Sequence, residues 1–279
     1  MTMGGRRRRY LSSNLKLLLV LVPVAFVILV PYLWMVTASL KPRGLIGEPP
    51  YLYPAYFEFG NYIKAWQAAP FLRYYFNTLV VAVAVVASRV VLASMAAYAF
   101  ACLRFPGRDV LFLLFIGTMM VPFQATIIPA FLIVRDLHWL NSYQAMIAPR
   151  MVDAFAIFLL RQSFIGVPRD YFDAARLDGC RHWGILWRIV VPLNRATVVT
   201  MALFAFLFVW NDFLWPLLVA NDESLRVIQV GLQAFSGQYL TEWTYMMAGT
   251  VTATILPILL FIVAQKQFVA GLTSSGVKG

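Results

Sequence analysis

Long apolar stretches alternate with short polar segments along the whole chain. The stretch from Leu17 to Ala38 contains no charged residue, and neither does the stretch from Val110 to Val134. About 20 consecutive apolar residues suffice for a helix to cross the hydrocarbon layer of a membrane. The pattern predicts an all-α integral membrane protein with six transmembrane helices. These are Leu15–Ser39, Tyr74–Cys102, Asp109–Val134, Asn141–Ile165, Ala196–Ala220 and Thr244–Val269.

Composition supports membrane insertion. Hydrophobic residues make up 61% of the 279 residues and charged residues only 13%, whereas soluble domains carry about 25% charged residues. The cluster Arg6–Arg9 before the first apolar run resembles the start of a cleaved signal peptide. Because that run exceeds the roughly 7–15 residues of a signal core, we expect an uncleaved first helix.

Basic residues indicate the orientation. With the N-terminus in the cytoplasm, the cytoplasmic segments hold 15 of the 23 Lys and Arg residues, among them Arg6–Arg9 and the arginines between positions 161 and 195. Cytoplasmic loops of membrane proteins are enriched in Lys and Arg. The bias predicts cytoplasmic N- and C-termini, and it gives the net charge of +11 a topological origin rather than one in nucleic-acid binding.

Two longer polar stretches separate the spans. Leu40 to Leu72, rich in Pro, Tyr and Gly, is predicted to be an external loop with a short helix near Asn61–Ala68. Gly166 to Arg195 lies on the predicted cytoplasmic side. The predicted organisation is an N-terminal part over residues 1–72, a core of five helices over 73–270 and a cytoplasmic tail over 271–279.

The cytoplasmic loop has the pattern of helix, turn, helix. Pro168 suits the start of the first helix, and Asp178 with Gly179 supplies the turn, since glycine takes positive φ freely. In the second helix, apolar residues at helical spacing form a stripe predicted to face the membrane surface or a partner. The stripe comprises Trp183, Leu186, Trp187 and Val190.

This loop resembles the EAA loop of ABC importer permeases. Where that pattern has Glu-Ala-Ala, Asp-Gly and proline, this chain has Asp173, Ala174, Ala175, Asp178, Gly179 and Pro192. The resemblance implies that the loop docks a short helix into a cytoplasmic ATPase and couples closure of the ATPase dimer to the membrane helices. The chain departs from the pattern at Asp173, Cys180, Leu186 and Ala196. The alternative is a solvated linker with an amphipathic helix; the spacing and the flanking topology together favour the coupling loop.

Other segments resemble the carbohydrate-importer branch of that family. They are Ser39–Pro42, Ala96–Phe100, Phe105–Arg108 and Trp210–Pro216. The tail Gly271–Gly279 is similar to that of the maltose-type second permease subunit. The resemblance implies the type I ABC importer permease fold, and it implies that the tail inserts into the ATPase dimer. A frayed end is the alternative for the tail.

Polar residues inside spans are candidates for a solute pathway, because they are costly in a membrane. A sugar pathway needs aromatic faces for the ring and amides or acids for the hydroxyls. Trp210, Asn211 and Asp212 on the fifth span and Gln124 on the third supply them. Hydrogen bonding between helices is the alternative for Asn211 and Asp212.

Arg89, Arg150 and Asp153 are further charged residues in the interior of predicted spans. Arg150 and Asp153 are three positions apart, which allows them to pair on one helix face. Arg89 lies near the middle of the second span and needs an acidic partner, for which Asp153 and Asp212 are the candidates.

The chain contains no Walker A pattern, no nucleophile–base set and no metal-ligand set, so we expect no catalytic site and no cofactor of its own. Cys102 and Cys180 are expected to be free thiols. The resemblance implies a bacterial inner-membrane permease subunit of an ATP-driven, binding-protein-dependent importer of a sugar or sugar-like solute. Its implied partners are a second permease subunit, two ATPase subunits that bind ATP and Mg²⁺, an extracytoplasmic solute-binding protein and lipid, and no nucleic acid.

Two alternatives remain at this point. The solute of such an importer could be glycerol-3-phosphate or a glycerophosphodiester, which would require several Lys or Arg residues along the pathway. From a different class, an ion-coupled secondary carrier or a membrane-embedded enzyme could share the composition. A carrier should show internal repeats, and none is evident in the sequence.

Overall fold

The computed structural model describes residues 3–236 and 242–276, and it is helical without a β-strand in those ranges. The α-helices are α1 (Met3–Ser39), α2 (Gly60–Gln67), α3 (Phe71–Cys102), α4 (Arg108–Gly117), α5 (Phe123–Asp136), α6 (Tyr143–Ile147), α7 (Ala154–Ile165), α8 (Arg169–Leu177), α9 (His182–Ile185), α10 (Val191–Leu193), α11 (Arg195–Trp210), α12 (Leu214–Val219), α13 (Ile228–Gly231) and α14 (Trp243–Gly276). Short 3₁₀ segments cover Thr118–Met120, Ala148–Arg150, Glu223–Leu225 and Leu232–Phe235, and a π-helical segment covers Leu186–Val190.

The described helices account for up to six membrane spans by length and composition. Three are long and apolar enough to cross a membrane unaided: Leu17–Ser39 in α1, the whole of α3, and Trp243–Val269 in α14. Three bent pairs qualify when each pair counts as one span. They are α4 to α5, α6 to α7, and α9 to α11, with bends of 98°, 43° and 84°. On that count the prediction of an all-α, six-span membrane protein is confirmed.

Spans that the sequence predicted as continuous are broken in the structure. The third breaks before Pro122, because the residue preceding a proline is disfavoured in the helical region, and Val121 is extended at φ −85° and ψ 113°. The fifth ends at Trp210, and α12 begins only at Leu214. Broken helices are tolerated at membrane depth where protein buries the freed backbone groups.

The first of two compact units comprises residues 1–69 and 232–252. Within it the external loop folds back onto the end of α1. The side-chain amide of Asn61 donates to the carbonyls of Ser39 and Lys41 at 2.9 and 2.8 Å, and the hydroxyls of Ser39 and Tyr62 lie 2.7 Å apart. The short helix predicted near Asn61–Ala68 is confirmed as α2, and its external location stays a prediction.

The second unit comprises residues 70–231 and 253–279. Helices α7 and α11 pack against α3, where small side chains such as Ala93 and Ala97 allow close approach. The buried cluster consists of Ala93, Ala97, Tyr98, Ala156, Ile157, Leu160, Phe164, Ala175, Ile185, Leu186, Val190 and Met201. Because Ala175, Leu186 and Val190 belong to the cytoplasmic loop, the loop is packed onto the ends of the spans.

Helix α14 continues to Gly276, beyond its predicted end at Val269. A Cβ atom on Gly271 would lie 2.6 Å from the hydroxyl of Thr200, so glycine permits the close approach of α14 to α11. Of the predicted tail, residues 277–279 lie outside the described residues. The two compact units divide at residue 69, and the first unit also includes residues 232–252; the organisation into 1–72, 73–270 and 271–279 stays a prediction.

Candidate functional site

The first helix of the cytoplasmic loop, α8, has one packed face and one exposed face. Ala175 is buried in the core of the second unit. On the other side, Asp173 is exposed and accepts a hydrogen bond from Arg176 at 3.2 Å, while Leu177 is 90% exposed. The exposed face of α8 therefore carries a carboxylate and an apolar side chain.

A tight turn ends α8. The amide of Cys180 donates to the carbonyl of Ala175 at 2.8 Å, and the amide of Gly179 donates to that of Arg176 at 3.0 Å. With Gly179 at φ +76°, these bonds form the Schellman motif, in which a left-handed residue closes the helix. The predicted Asp178–Gly179 turn is confirmed, with Ala174 accepting from the amide of Asp178 at 3.0 Å.

The second half of the loop is anchored to the spans. Leu186 and Val190 are buried, whereas Trp183 is 61% exposed, so the predicted apolar stripe divides between the core and the surface. The hydroxyl of Tyr98 in α3 lies 3.0 Å from Nδ1 of His182. Pro192, in α10, is exposed. The loop therefore holds α3 at one end while it presents α8 outward.

Asn194 links this half of the loop to two spans. It stands at the 84° bend that precedes α11. Its Oδ1 accepts a hydrogen bond from the hydroxyl of Ser163 in α7 at 2.5 Å, and its Nδ2 donates to the carbonyl of Val190 at 2.8 Å. Asn194 therefore connects the loop to α7 at the start of α11.

A buried ion pair connects α3 to the start of α7. Arg89 is 4% exposed; its Nη1 donates to Asp153 at 2.7 Å and its Nε to the carbonyl of Arg150 at 2.8 Å. Asp153 also accepts from the amide of Phe155 at 2.7 Å and so caps α7. One carboxylate thus satisfies both an arginine and a helix N-terminus.

A second ion pair involves Arg150, which is 7% exposed. Its Nη2 donates to Asp212 at 2.8 Å, and its guanidinium lies 4.0 Å from the ring centroid of Phe123. Asp212 also accepts from the amide of Trp215 at 3.4 Å. The predicted pairing of Arg150 with Asp153 is wrong, because the helix breaks between them and turns their side chains toward different helices.

The two ion pairs lie where the three middle spans are broken. Arg150 and Asp153 flank the break between the Ala148–Arg150 turn and α7, Asp212 lies in the break between α11 and α12, and Phe123 follows the break before α5. We refer to Arg89, Asp153, Arg150 and Asp212 as the ion network. It supplies polar partners where the helical hydrogen bonding is interrupted.

The predicted pathway residues have different environments. Trp210 is 1% exposed; its indole donates to the carbonyl of Ala253 at 3.0 Å, and its ring stacks on Phe206 with centroids 5.2 Å apart. Asn211 and Gln124 are exposed, and Nδ2 of Asn211 donates to the carbonyl of Leu207 within its own helix at 2.8 Å. Burial favours a packing role for Trp210, and the pathway role of Asn211 and Gln124 stays a prediction.

Comparison with known proteins identifies the family. The family model described as "Binding-protein-dependent transport system inner membrane component" matches residues 89–274. The chain belongs to this family. The matched range begins at Arg89 and contains the ion network, the cytoplasmic loop and most of α14.

Relatives of this inner membrane component extend over nearly the whole chain. It is 33% identical to the arabinooligosaccharides transport system permease protein AraQ of Bacillus subtilis, over 90% of this chain and 91% of the relative. It is 31% identical to the sn-glycerol-3-phosphate transport system permease protein UgpE of Yersinia enterocolitica, over 92% of this chain and 94% of the relative.

Among solved structures, the chain resembles a bacterial ABC transporter involved in the import of the acidic polysaccharide alginate. The TM-score is 0.79 at 24% identity, over 96% of this chain and 99% of that one. This likeness establishes a shared fold. The inner membrane component is therefore a multi-pass permease with the fold that the sequence predicted.

Proposed function

We propose that this family member is one membrane-spanning permease subunit of an ATP-driven importer for a sugar or sugar-like solute, and that Asp173–Pro192 couples it to the ATPase. The observation that carries the proposal is the packing of the loop. Ala175 fixes α8 to the spans while Asp173 and Leu177 remain exposed for a partner. Family membership decides against the ion-coupled carrier that the sequence left open.

Coupling requires a rigid connection between the ATPase contact and the spans. The Schellman turn at Gly179, the contact between Tyr98 and His182, and the bonds of Asn194 supply it. Closure of the ATPase dimer moves α8, and Asn194 passes the movement to α7 and α11. In this scheme ATP and Mg²⁺ are bound, and ATP is hydrolysed, by partner ATPase subunits.

A neutral sugar is the preferred solute class. The relative AraQ is described as transporting arabinooligosaccharides and UgpE as transporting sn-glycerol-3-phosphate. A phosphate group would need arginines with unfilled bonding capacity. Nε of Arg150 has no hydrogen-bond partner among the described residues, but the positive charges of Arg89 and Arg150 are each balanced by a carboxylate at 2.7 and 2.8 Å. This charge balance favours the neutral sugar.

The remaining architecture completes the proposal. A second permease subunit pairs with this chain, two ATPase subunits dock from the cytoplasm, and a solute-binding protein delivers the solute from outside. Residues 1–72 form the first transmembrane helix and an external loop. Residues 73–270 form the transport core of five helices, and residues 271–279 form a cytoplasmic tail. Asn211, Asp212 and Gln124 are proposed to contribute to the solute pathway. Both termini lie in the cytoplasm.

Solute class is tested with the binding protein that co-purifies with the assembled importer. Its thermal unfolding is measured with neutral oligosaccharides and with sn-glycerol-3-phosphate. A rise in the unfolding midpoint with oligosaccharides alone is expected, together with stimulated ATP hydrolysis in vesicles. Stabilisation by sn-glycerol-3-phosphate alone would replace the sugar proposal with the phosphate alternative.

Orientation is tested at Cys180, which is partly exposed beside Gly179. In a Cys102→Ala background, a membrane-impermeant maleimide should label Cys180 in inverted vesicles and not in intact spheroplasts. Labelling of intact spheroplasts would invert the proposed topology.

A further inference from the structure

Two neighbouring cavities open between the α3–α4 link and the cytoplasmic loop. Their volumes are about 830 and 580 Å³. Both are lined by Arg104, Arg108 and Arg169, which we call the arginine cleft. Arg104 belongs to the link, whereas Arg108 and Arg169 are the first residues of α4 and α8.

The charges that line the cleft are not balanced within the described chain. Arg108 donates to Asp109 at 3.0 Å, and Arg176, at the rim of the larger cavity, donates to Asp173 at 3.2 Å. No described carboxylate pairs with Arg104 or Arg169. Because clustered like charges repel one another, an anion bound between these two arginines lowers the electrostatic energy of the cleft.

One side of the cleft adjoins an exposed apolar face of α4. Val110 lines the smaller cavity and begins an exposed face of α4. Val110, Leu113 and Leu114 on that helix are 64%, 69% and 65% exposed. A ligand that fits both features carries an anionic head and a hydrocarbon tail.

We propose that the arginine cleft binds an anionic phospholipid, with its phosphate between Arg104 and Arg169 and an acyl chain along the exposed face of α4. Basic pockets between transmembrane helices on the cytoplasmic side bind such headgroups, and the guanidinium fork matches phosphate geometry. The inference rests on the proposed orientation. Because Arg169 begins α8, the bound lipid steadies the helix that docks on the ATPase.

The test uses the assembled importer, purified through this chain and stripped of lipid in a neutral detergent. Phosphatidylglycerol or phosphatidylcholine is titrated in, and bound lipid is counted by native mass spectrometry. Phosphatidylglycerol should bind and phosphatidylcholine should not. Each basic side chain near a membrane surface changes affinity about fivefold, so Arg104→Gln should weaken binding about fivefold and Arg104→Gln/Arg169→Gln about 25-fold.

Controls separate the cleft from general positive charge. Arg195→Gln removes an exposed arginine that lines neither cavity and should leave binding unchanged, while Arg104→Lys should retain most of it. Equal binding by the double variant and the parent overturns the proposal. Displacement of the lipid by inorganic phosphate at a comparable concentration would also overturn the proposal, because the cleft would then be a site for a soluble anion.

A different partner is a third outcome of the same preparation. If the double variant keeps its phosphatidylglycerol but loses its ATPase subunits, the cleft is part of the ATPase interface and the lipid proposal is wrong. Lipid counting needs neither solute nor ATP. A failure of the lipid proposal is therefore distinguishable from a failure of the importer proposal, which is measured by uptake.

Discussion

The ion network and the cytoplasmic loop both contain Arg–Asp pairs, but the pairs are buried in the network and exposed in the loop. Arg89 and Arg150 are almost fully buried and each contacts an aspartate within 2.8 Å. In the loop, Arg176 and Asp173 lie 3.2 Å apart with more than half of each side chain exposed. A buried charge that loses its partner is strongly destabilising, whereas an exposed pair contributes about 0–1 kcal/mol.

The ion pairs of the network are held in place by burial, whereas the Arg176–Asp173 pair of the loop can exchange partners. In the ion network, pairing fixes which helices meet at the breaks, because each aspartate also accepts a backbone amide. In the loop, Asp173 can leave Arg176 for a partner protein at little cost. The buried charges thus fix how the helices pair at the breaks, whereas the exposed charges of the loop are weakly held.

Removal of one buried partner should have the largest effect. Asp212→Asn leaves Arg150 buried without its counter-charge, and breaking such a pair costs about 3–5 kcal/mol. The midpoint of thermal unfolding of the detergent-solubilised importer should fall sharply. Replacement of both partners, as Arg150→Met/Asp212→Leu, should recover much of the loss.

The matched control is Asp136→Asn, which removes an exposed carboxylate that pairs only with its neighbour Arg135. It should change stability by less than about 1 kcal/mol. Similar losses from Asp212→Asn and Asp136→Asn would contradict the distinction between the two regions.

Gly179→Asp should abolish uptake without unfolding the chain. Apart from Gly179 and its two chain neighbours, no described residue has an atom within 4 Å of a Cβ at this position, and aspartate tolerates the left-handed backbone. Central interface positions contribute about 2 kcal/mol or more, so recruitment of the ATPase should fall more than tenfold. Pull-down of the ATPase through this chain measures it.

Gly44→Asp is the control for backbone strain, because Gly44 has φ +88° and equally open surroundings in the external loop. It should take up solute normally. If Gly179→Asp did so too, α8 would not be the docking element.

Asn194→Ala should uncouple the cytoplasmic loop from the membrane-spanning helices. It removes the partner of the Ser163 hydroxyl and the bond to Val190, at a cost of about 1–3 kcal/mol. ATP hydrolysis should continue while uptake falls, measured in the same vesicles. The control Asn221→Ala, at an exposed loop position, should alter neither rate. If Asn194→Ala lost ATP hydrolysis and uptake in parallel, Asn194 would not transmit movement from the loop to the spans.

Asn211→Ala should have the smallest effect on stability, below about 0.5 kcal/mol, because its amide bonds only to its own helix. Uptake should fall about fivefold if the amide bonds a solute hydroxyl worth about 1 kcal/mol. Gln265→Ala removes an exposed amide with the same kind of local bond, to Ile262, and should leave uptake unchanged. Parental uptake in Asn211→Ala would exclude this residue from the pathway.

Much of the local structure of the cytoplasmic loop was predictable from the sequence. Glycine at position 179 predicted the left-handed turn, and Pro168 predicted the start of α8, because both signals act within a few residues of backbone. The division of the Trp183–Val190 stripe between core and surface was not predictable. It depends on which residues of the loop join the buried cluster with α3, α7 and α11, and local periodicity does not encode that.

The six spans are readable from the amino-acid sequence, since the transfer free energy of an apolar run is a local sum over its residues. The need of Arg89 for an acidic partner is readable there too. The pairing of Arg89 with Asp153, and of Arg150 with Asp212, follows from tertiary packing. Two aspartates were equally available in the sequence. The breaks in the middle spans set the direction of each side chain, and those directions follow from the packing of distant helices rather than from any single segment.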